Sequence, residues 1–371
     1  MPVDDAALQI ARARKLWKLM LGSDVHKRIA AGEQFMLLPK DVQSTVQNEP
    51  RSWGRKKDIR DEHARTGRRA PLIIKVTIAG SGCDVWMTRA NADGSVADTN
   101  LGRLDIEDDG SQVNAYEQGD NLTVSGPGAK NTLNNASDAR DSHGGVFDAG
   151  SNSIARIVEQ VPPMVKGAID TRHSGDADEP IVIMIKAHSR GAVAASRVAE
   201  ALSGYKGAAV ELMQSDPVPG PGQPKNLTQV NLGEFQGEDG QAKAAPVEST
   251  LVYSVASGYK YGFTPQKVIG AKRIIISRQD HSAGLANGFV YEGRLYKGSS
   301  LNSLPEGVFV DRNKTNQNSL PLEKVATRDE AIAAFKSALG EVPRAAQDWA
   351  EVPGWTESRE KIITSVLNSF A

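Results

Sequence analysis

The stretch from Pro180 to Leu202 constrains the fold of this chain more than any other. It begins with the apolar run Ile181–Ile185, which is rich in β-branched residues and typical of a strand buried on both faces. From Ala192 the residues become small and alanine-rich, which predicts a helix that ends near Ser203-Gly204. The stretch therefore predicts a buried strand that leads through a tight turn directly into a helix.

The turn between this strand and helix reads Ala187-His188-Ser189-Arg190-Gly191. A serine in such a turn is typical of a nucleophile elbow, Gly-x-Ser-x-Gly, where a strained backbone exposes the hydroxyl. The positions two before and two after the serine must be small, and here they are Ala187 and Gly191. The alternative is a surface turn whose serine caps the helix. We favour Ser189 as a nucleophile because of its place between a buried strand and a small-faced helix.

Other apolar runs predict further core strands, separated by polar loops and helical patterns. The predicted strands are Pro71–Ile78, Asn121–Ser125, Ala208–Met213, Thr250–Val255 and Arg273–Ser277, and the predicted helices are Ser153–Ile169, Thr327–Leu339 and Glu357–Phe370. This pattern predicts an α/β fold with a mostly parallel sheet and helices on both faces.

The chain divides into two predicted regions. Residues 1–70 form a helical, basic N-terminal extension, and residues 71–371 form the α/β domain, with polar insertions at 86–120 and 129–152. Within the extension, Arg51–Arg69 is polar and mostly basic. This segment is either a partner-binding or delivery segment or a solvated linker, and the linker is favoured.

Composition excludes several classes of protein. The net charge of −1 gives no electrostatic case for binding nucleic acid, and the single Cys83 excludes internal disulfides. No apolar segment approaches the roughly 20 residues of a membrane span. The first residues lack the apolar core and cleavage site of a secretory signal. We expect a protein that is cytoplasmic in the producing cell, or one that is exported without a cleaved signal peptide.

Three residue types needed for nucleophilic catalysis follow predicted strands. Ser189, Asp216 and His281 occur in that chain order, each at a strand's carboxyl end. A serine hydroxyl becomes a good nucleophile only when a histidine takes its proton, and a carboxylate must orient that histidine. Of the six histidines, only His281 follows a core strand. The rival acid is Asp280, but adjacent residues rarely present their side chains to each other.

A glycine-containing turn, Ala79-Gly80-Ser81, ends the first predicted strand. Such a turn is where α/β enzymes of this kind place an oxyanion-hole N–H group, and the N–H of Arg190 is the expected main donor. We therefore predict an oxyanion hole from Arg190, Gly80 and Ser81. The alternative, a phosphate-cradling loop, lacks the further glycine of a dinucleotide motif and the Gly-Lys of a P-loop. No cofactor or metal site is predicted.

The chain resembles one family of α/β-hydrolases. The resemblance rests on the elbow HSRGA, the loop Gly126-Pro127-Gly128, the segment Asp216-Pro217-Val218 and the turn His281-Ser282. It spans about residues 71–290 and points to enzymes with a Gly-Phe-Ser-Arg-Gly-Ala elbow, which include lipase effectors of bacterial type VI secretion systems. Two departures stand out: Ala79-Gly80-Ser81 replaces the family's Asp-Gly-Thr, and Ala283 stands where the family tends to have an acid.

This resemblance implies hydrolysis of a carboxylic ester by Ser189, Asp216 and His281, with phospholipid as a leading substrate class. It also implies a secreted bacterial toxin with a secretion-apparatus or immunity partner. The alternatives are a catalytically inactive binding protein of the same fold, and a hydrolase that cleaves an amide or thioester. The polar loops contain no apolar segment that could serve as a lid, so a soluble esterase remains an alternative to an interfacial lipase.

Overall fold

The structure is a computed structural model, and its description covers most of the predicted α/β domain and parts of the N-terminal region. The described residues are 9, 12, 13, 16, 25–43, 53–80, 115–118, 121–124, 126–127, 154–176, 178–220, 225–235, 247–255, 264–278, 281, 288–296, 298–311, 320–340 and 359–370.

Eleven of the described strands form one mixed sheet. In chain order the strands of the described residues are β1 (Leu72–Ile78), β2 (Ala115–Gln118), β3 (Asn121–Val124), β4 (Ile181–His188), β5 (Ala209–Ser215), β6 (Gln229–Asn231), β7 (Glu248–Ser254), β8 (Lys267–Ile269), β9 (Arg273–Ser277), β10 (Phe289–Tyr291), β11 (Arg294–Tyr296), β12 (Gly307–Asp311) and β13 (Leu320–Val325). The large sheet has the order β11-β10-β13-β12-β9-β7-β5-β4-β1-β3-β2, while β6 and β8 pair separately.

The centre of the sheet is parallel, whereas its margins combine antiparallel pairs with one parallel pair, β10 with β13. Strands β3, β1, β4, β5, β7, β9 and β12 run parallel to their neighbours in that order. The antiparallel pairs are β2 with β3, β12 with β13 and β10 with β11. The carboxyl ends of β1, β4, β5, β7 and β9 therefore lie along one edge, which is where open α/β sheets bind ligands.

Helices flank this sheet. The helices of the described residues are α1 (Val25–Met36), α2 (Trp53–Arg65), α3 (Ile154–Arg172), α4 (Ser189–Leu202), the single turn α5 (Lys225–Thr228), α6 (Arg328–Gly340) and α7 (Arg359–Ser369), with 3-10 turns at Tyr205–Gly207, Leu232–Glu234 and Gly298–Ser303. Helix α3 continues through Pro162 and Pro163, both of which lie inside it.

The two faces of the sheet are covered differently. On the first face, α3, α4, α6 and α7 bury a large apolar cluster that includes Ile183 and Leu212. On the second face, α2, the 3-10 helix Gly298–Ser303 and the β10–β11 hairpin cover smaller clusters. Because side chains alternate along a strand, Lys186 and His188 of β4 face the second side. The core on the first face fixes the register of the strands that carry the site.

The predicted α/β architecture, with a mostly parallel central sheet flanked by helices, is confirmed. The segment favoured as a solvated linker is different: its residues 53–65 form α2, whose Ile59 is buried against Ile73 and Val182 of the sheet. Arg55 of this helix binds Glu211 of β5 through two hydrogen bonds, of 2.7 and 3.1 Å. Its polar composition concealed a helix that is held by buried Ile59 and by the ion pairs of Arg55 with Glu211 and of Asp58 with Arg294.

None of the helices within the described residues is long and apolar enough to cross a bilayer. Near the amino terminus, Ala13 and Leu16 pack with Phe35 of α1, so these residues form a small apolar cluster of their own.

Candidate active site

Ser189 occupies a strained turn at the sheet edge. Strand β4 ends at His188 with extended backbone, and α4 begins at Ser189 itself, whose φ is +56°. A positive φ is uncommon for a residue with a side chain, and such strain is found most often at functional sites. The turn therefore has the backbone of the predicted elbow rather than of an ordinary helix cap.

The small residues of the turn have a direct steric role. A methyl group on Gly191 would overlap the carbonyl oxygen of Ala79, at the end of the adjacent strand β1. A methyl group on Gly126 would overlap the carbonyl oxygen of Gly80 in the same way. Ala187 is fully buried, so its single methyl group is accommodated where the usual motif has glycine. Both glycines allow the backbones around the turn to approach closely.

Asp216 lies directly after β5, the strand beside β4. The residue is completely buried and has a φ of +41°, a second strained position next to the first. Its backbone N–H donates to the Val252 carbonyl at 2.7 Å, and its Oδ1 accepts from the Ser254 N–H at 3.1 Å. The end of the neighbouring strand β7 thus holds both the backbone and the carboxylate of Asp216.

The structure brings Asp216 and His281 together. Nδ1 of His281 lies 2.6 Å from Oδ2 of Asp216 and donates to it, so the neutral imidazole carries its proton on Nδ1 and Nε2 is its basic nitrogen. The hydroxyl of Ser189 makes no hydrogen bond to any other described residue. Hydrogen bonds to a nucleophile are often long or absent before substrate binds, so this geometry is compatible with a resting site. The rival acid, Asp280, lies outside the described residues.

His188 contacts both the backbone carbonyl and the ring of His281. Its Nε2 lies 2.7 Å from the carbonyl oxygen of His281 and donates to it, and the two rings lie 4.5 Å apart between centroids. The same ring abuts Gly80, where a methyl group would lie 2.7 Å from Nδ1 of His188. His188 therefore links the loop that carries His281 to the end of β1.

Arg359 is a site residue that the sequence did not reveal. From the first turn of α7, its Nη1 and Nη2 donate to the two oxygens of Asp216, at 2.8 and 3.1 Å, and Nη1 also donates to the Ser254 carbonyl at 2.5 Å. Both side chains are almost completely buried. Arg359 lies 143 residues after Asp216 in the chain, so no local sequence motif could connect the two. The sequence showed only a basic residue at the start of a predicted amphipathic helix.

The charge of Asp216 is stabilised by these contacts. Burial raises the pKa of the carboxyl, but the positive charge of Arg359 and the hydrogen bonds from His281 and Arg359 outweigh it. The pKa of Asp216 consequently lies well below its usual range. The carboxylate is ionised at neutral pH and available to orient the imidazole.

The predicted oxyanion-hole residues lie around the same turn. Gly80 is close enough that a methyl group on it would be 3.4 Å from Cβ of Ser189. Arg190 is the second residue of α4, so its N–H lies in the first turn of the helix, where no carbonyl of the same helix can accept from it. Its side chain turns away, and Nε donates to the Pro219 carbonyl at 3.2 Å. Ser81 lies outside the described residues.

Among the described residues, no group of three or more histidine, cysteine, aspartate and glutamate side chains could hold a metal ion. Comparison of the chain with models of known protein families and with curated proteins found no match.

Proposed function

We propose that the protein is a serine hydrolase of the α/β-hydrolase type, which cleaves a carboxylic ester through Ser189, His281 and Asp216. The observation that carries the proposal is the 2.6 Å hydrogen bond between buried Asp216 and Nδ1 of His281, beside a serine at φ +56°. A buried carboxylate that fixes one imidazole tautomer next to a strained serine has the components of a catalytic triad.

The chemistry begins at Ser189. Nε2 of His281 takes the hydroxyl proton as the oxygen attacks the ester carbonyl, and the resulting imidazolium is stabilised by the Asp216 carboxylate. Collapse of the tetrahedral intermediate expels the alcohol, which receives the proton from His281. Water, activated by the same histidine, then hydrolyses the acyl-enzyme and restores the serine.

The oxyanion of the intermediate is expected at the backbone between Gly80 and the start of α4. The N–H of Arg190 lies in the first turn of a 14-residue helix, where the unpaired donors and the helix dipole favour negative charge. The closeness of Gly80 to Cβ of Ser189 supports its N–H as the second donor. Each such donor contributes about 3 kcal/mol to transition-state stabilisation in a well-studied serine protease.

The leading substrate class is a lipid or phospholipid ester, because the Ser-Arg-Gly-Ala elbow resembles the elbow of the lipase effectors. The same resemblance supports a role as an exported bacterial effector. Both statements depend on motif similarity, so the ester chemistry is tested first and on small substrates.

The test is hydrolysis of 4-nitrophenyl butyrate by the wild type and by Ser189→Ala. We expect the substitution to lower kcat by roughly 10⁶-fold, as in other triads, while thermal unfolding stays unchanged because the hydroxyl bonds to no described residue. Ser174→Ala, in an exposed loop, is the matched control and should retain full activity. Equal turnover by the wild type and Ser189→Ala would refute the assignment of the nucleophile.

A further inference from the structure

His188 lies next to the nucleophile but has no part in the proposed triad. It is the last residue of β4, has an extended backbone, and is followed directly by Ser189. Side chains alternate along the strand, so Ala187 is buried in the core of the first face and His188 faces the second side. The elbows that this chain resembles have phenylalanine before the serine. Histidine therefore adds two polar nitrogens at a position that an apolar ring can occupy.

One of these nitrogens binds the backbone of His281. Nε2 of His188 lies 2.7 Å from the carbonyl oxygen of His281. A carbonyl oxygen only accepts hydrogen bonds, so Nε2 carries a proton and is the donor. The bond is made to the residue that carries the proposed base and not to another residue of the loop. It therefore fixes the backbone of His281 relative to the end of β4, where Ser189 follows.

The rings of the two histidines are also in contact. Their centroids lie 4.5 Å apart, and their planes are inclined by 42° to each other. The imidazole of His281 is at the same time bound through Nδ1 to Oδ2 of Asp216, at 2.6 Å. It is thus held at one nitrogen by Asp216 and contacted on its ring by His188.

These contacts compensate for the place of His281 outside the regular sheet. Strand β9 ends at Ser277, so the ladder of the sheet does not hold His281 itself. The hydrogen bond to Asp216 fixes the distance between Nδ1 and the carboxylate, but it leaves the imidazole able to pivot about that bond. A second attachment, at the carbonyl of His281, restricts this pivoting.

His188 also contacts the backbone of the proposed oxyanion hole. A methyl group on Gly80 would lie 2.7 Å from Nδ1 and 3.4 Å from Cε1 of His188, so a larger residue there would displace the ring. The same methyl group would lie 3.4 Å from Cβ of Ser189. One ring therefore touches both the residue proposed as the base and a residue proposed as an oxyanion donor.

We propose that His188 is a positioning residue for hydrolysis at Ser189. The hydrogen bond from its Nε2 to the carbonyl of His281 holds the imidazole of His281 where it can take the serine proton. A general base must come within about 2.6–3.2 Å of that proton's oxygen, and a displacement of about 1 Å can lower the rate about 100-fold. The effect on turnover rests on the proposed function, whereas the effect on the position of His281 does not.

The kinetic test separates the donor of His188 from its ring. His188→Phe keeps a ring without a donor, His188→Gln keeps a donor nitrogen at nearly the reach of Nε2, and His188→Asn is one bond too short to reach the carbonyl. On 4-nitrophenyl butyrate, His188→Phe and His188→Asn should lower kcat about 10- to 100-fold and leave KM within about twofold. His188→Gln should retain kcat within about threefold of the wild type.

A control and two contrary outcomes make this test specific. His173→Phe is the matched control, because Nε2 of His173 lies 3.2 Å from the carbonyl oxygen of Glu179, at the opposite end of β4 from the site. It should leave kcat unchanged. Wild-type kcat in His188→Phe, or an equal loss in His188→Gln and His188→Asn, overturns the proposal. If His188→Phe does not fold, the comparison of His188→Gln with His188→Asn decides alone.

A spectroscopic test needs no turnover. In protein with isotope-labelled histidine, the resonance of the Nδ1 proton of His281 is identified by its loss in Asp216→Asn. Exchange with water should broaden this resonance in His188→Phe and His188→Asn, and it should stay sharp in the wild type, His188→Gln and His173→Phe. This order in a protein without esterase activity supports the positioning of His281 and refutes the proposed function. A resonance that is equally sharp, or equally broad, in the wild type and all three His188 variants overturns the positioning role.

Discussion

The carboxylate of the proposed triad and the nearby ammonium group of Lys186 differ in how the protein compensates their buried charge. Asp216 is completely buried, and its two oxygens receive hydrogen bonds from His281, Arg359 and the Ser254 backbone. Lys186, on the adjacent strand β4, lies among lysines with no carboxylate bound to it in the described residues, near buried hydroxyl and amide groups that also lack partners. The two regions are only one strand apart in the sheet.

This difference separates a carboxylate that is held in its ionised form from an ammonium group whose charged form is disfavoured by burial. A charge that the protein must keep in one position is surrounded by donors that lower the pKa of its carboxyl and fix its geometry. Burial without a carboxylate partner among the described residues lowers the pKa of Lys186 and disfavours its charged form. The comparison predicts that substitutions at Asp216 disable chemistry, whereas Lys186→Met leaves the turnover of a small neutral ester intact.

The largest expected effect in this comparison is at Asp216. Asp216→Asn should lower kcat by about 10⁴-fold with little change in ground-state binding, because the amide favours the wrong imidazole tautomer and cannot stabilise the imidazolium. The measurement is kcat and KM on 4-nitrophenyl butyrate, with circular dichroism to confirm folding. Asp280→Asn is the matched control and should lose far less. A crippled Asp280→Asn with an active Asp216→Asn would mean that the acid is misassigned.

A smaller effect is expected at Arg359, which acts on the histidine only through Asp216. In Arg359→Gln the buried carboxyl of Asp216 loses the cation that lowers its pKa. Burial raises the pKa of Asp216, and in this variant the contacts with His281 and Ser254 are left to oppose that effect. The carboxyl then takes up a proton at higher pH, so the acid limb of the kcat profile should move to higher pH. At neutral pH we expect a loss of roughly tenfold to a hundredfold, and a loss of stability of about 3 kcal/mol from the broken buried pair.

Three comparisons make the Arg359 prediction specific. Arg359→Lys should restore part of the pH profile, since it keeps the charge but not the two-pronged geometry. Arg328→Gln, on exposed α6, should change neither activity nor stability. Lys186→Met should leave the unfolding midpoint unchanged or raise it, because it removes an uncompensated charge. An Arg359→Gln enzyme with lower stability but an unshifted pH profile would reduce Arg359 to a structural role.

The sequence was sufficient to predict the core strands and the segments that carry Ser189, Asp216 and His281. Those predictions worked because buried parallel strands are continuous apolar runs, and because their carboxyl ends must meet at one edge. The strands β10, β11 and β13 were missed because they are short or half-exposed. Strand β12 was missed although four of its five residues are buried, because its apolar run is only three residues long. Helix α2 was taken for a linker because a single buried residue, Ile59, gives no periodic signal.

Arg359 and the environment of Lys186 lay beyond what the sequence could show, for a different reason. Arg359 reaches Asp216 only because α7 packs on the first face of the sheet, a contact between distant segments. Lys186 lies within a strand whose preceding residues are all apolar. Whether a carboxylate lies beside it depends on which strands are its neighbours in the sheet. Both are properties of the assembled sheet rather than of any local pattern.

The most direct test of the central claim is covalent labelling of Ser189. The wild-type protein is incubated with a fluorophosphonate at neutral pH, and intact mass and peptide mapping locate the adduct. We predict one adduct per chain, on Ser189, formed slowly in Asp216→Asn and absent in Ser189→Ala. An unlabelled wild-type protein, or an adduct on another serine that persists in Ser189→Ala, would contradict the account.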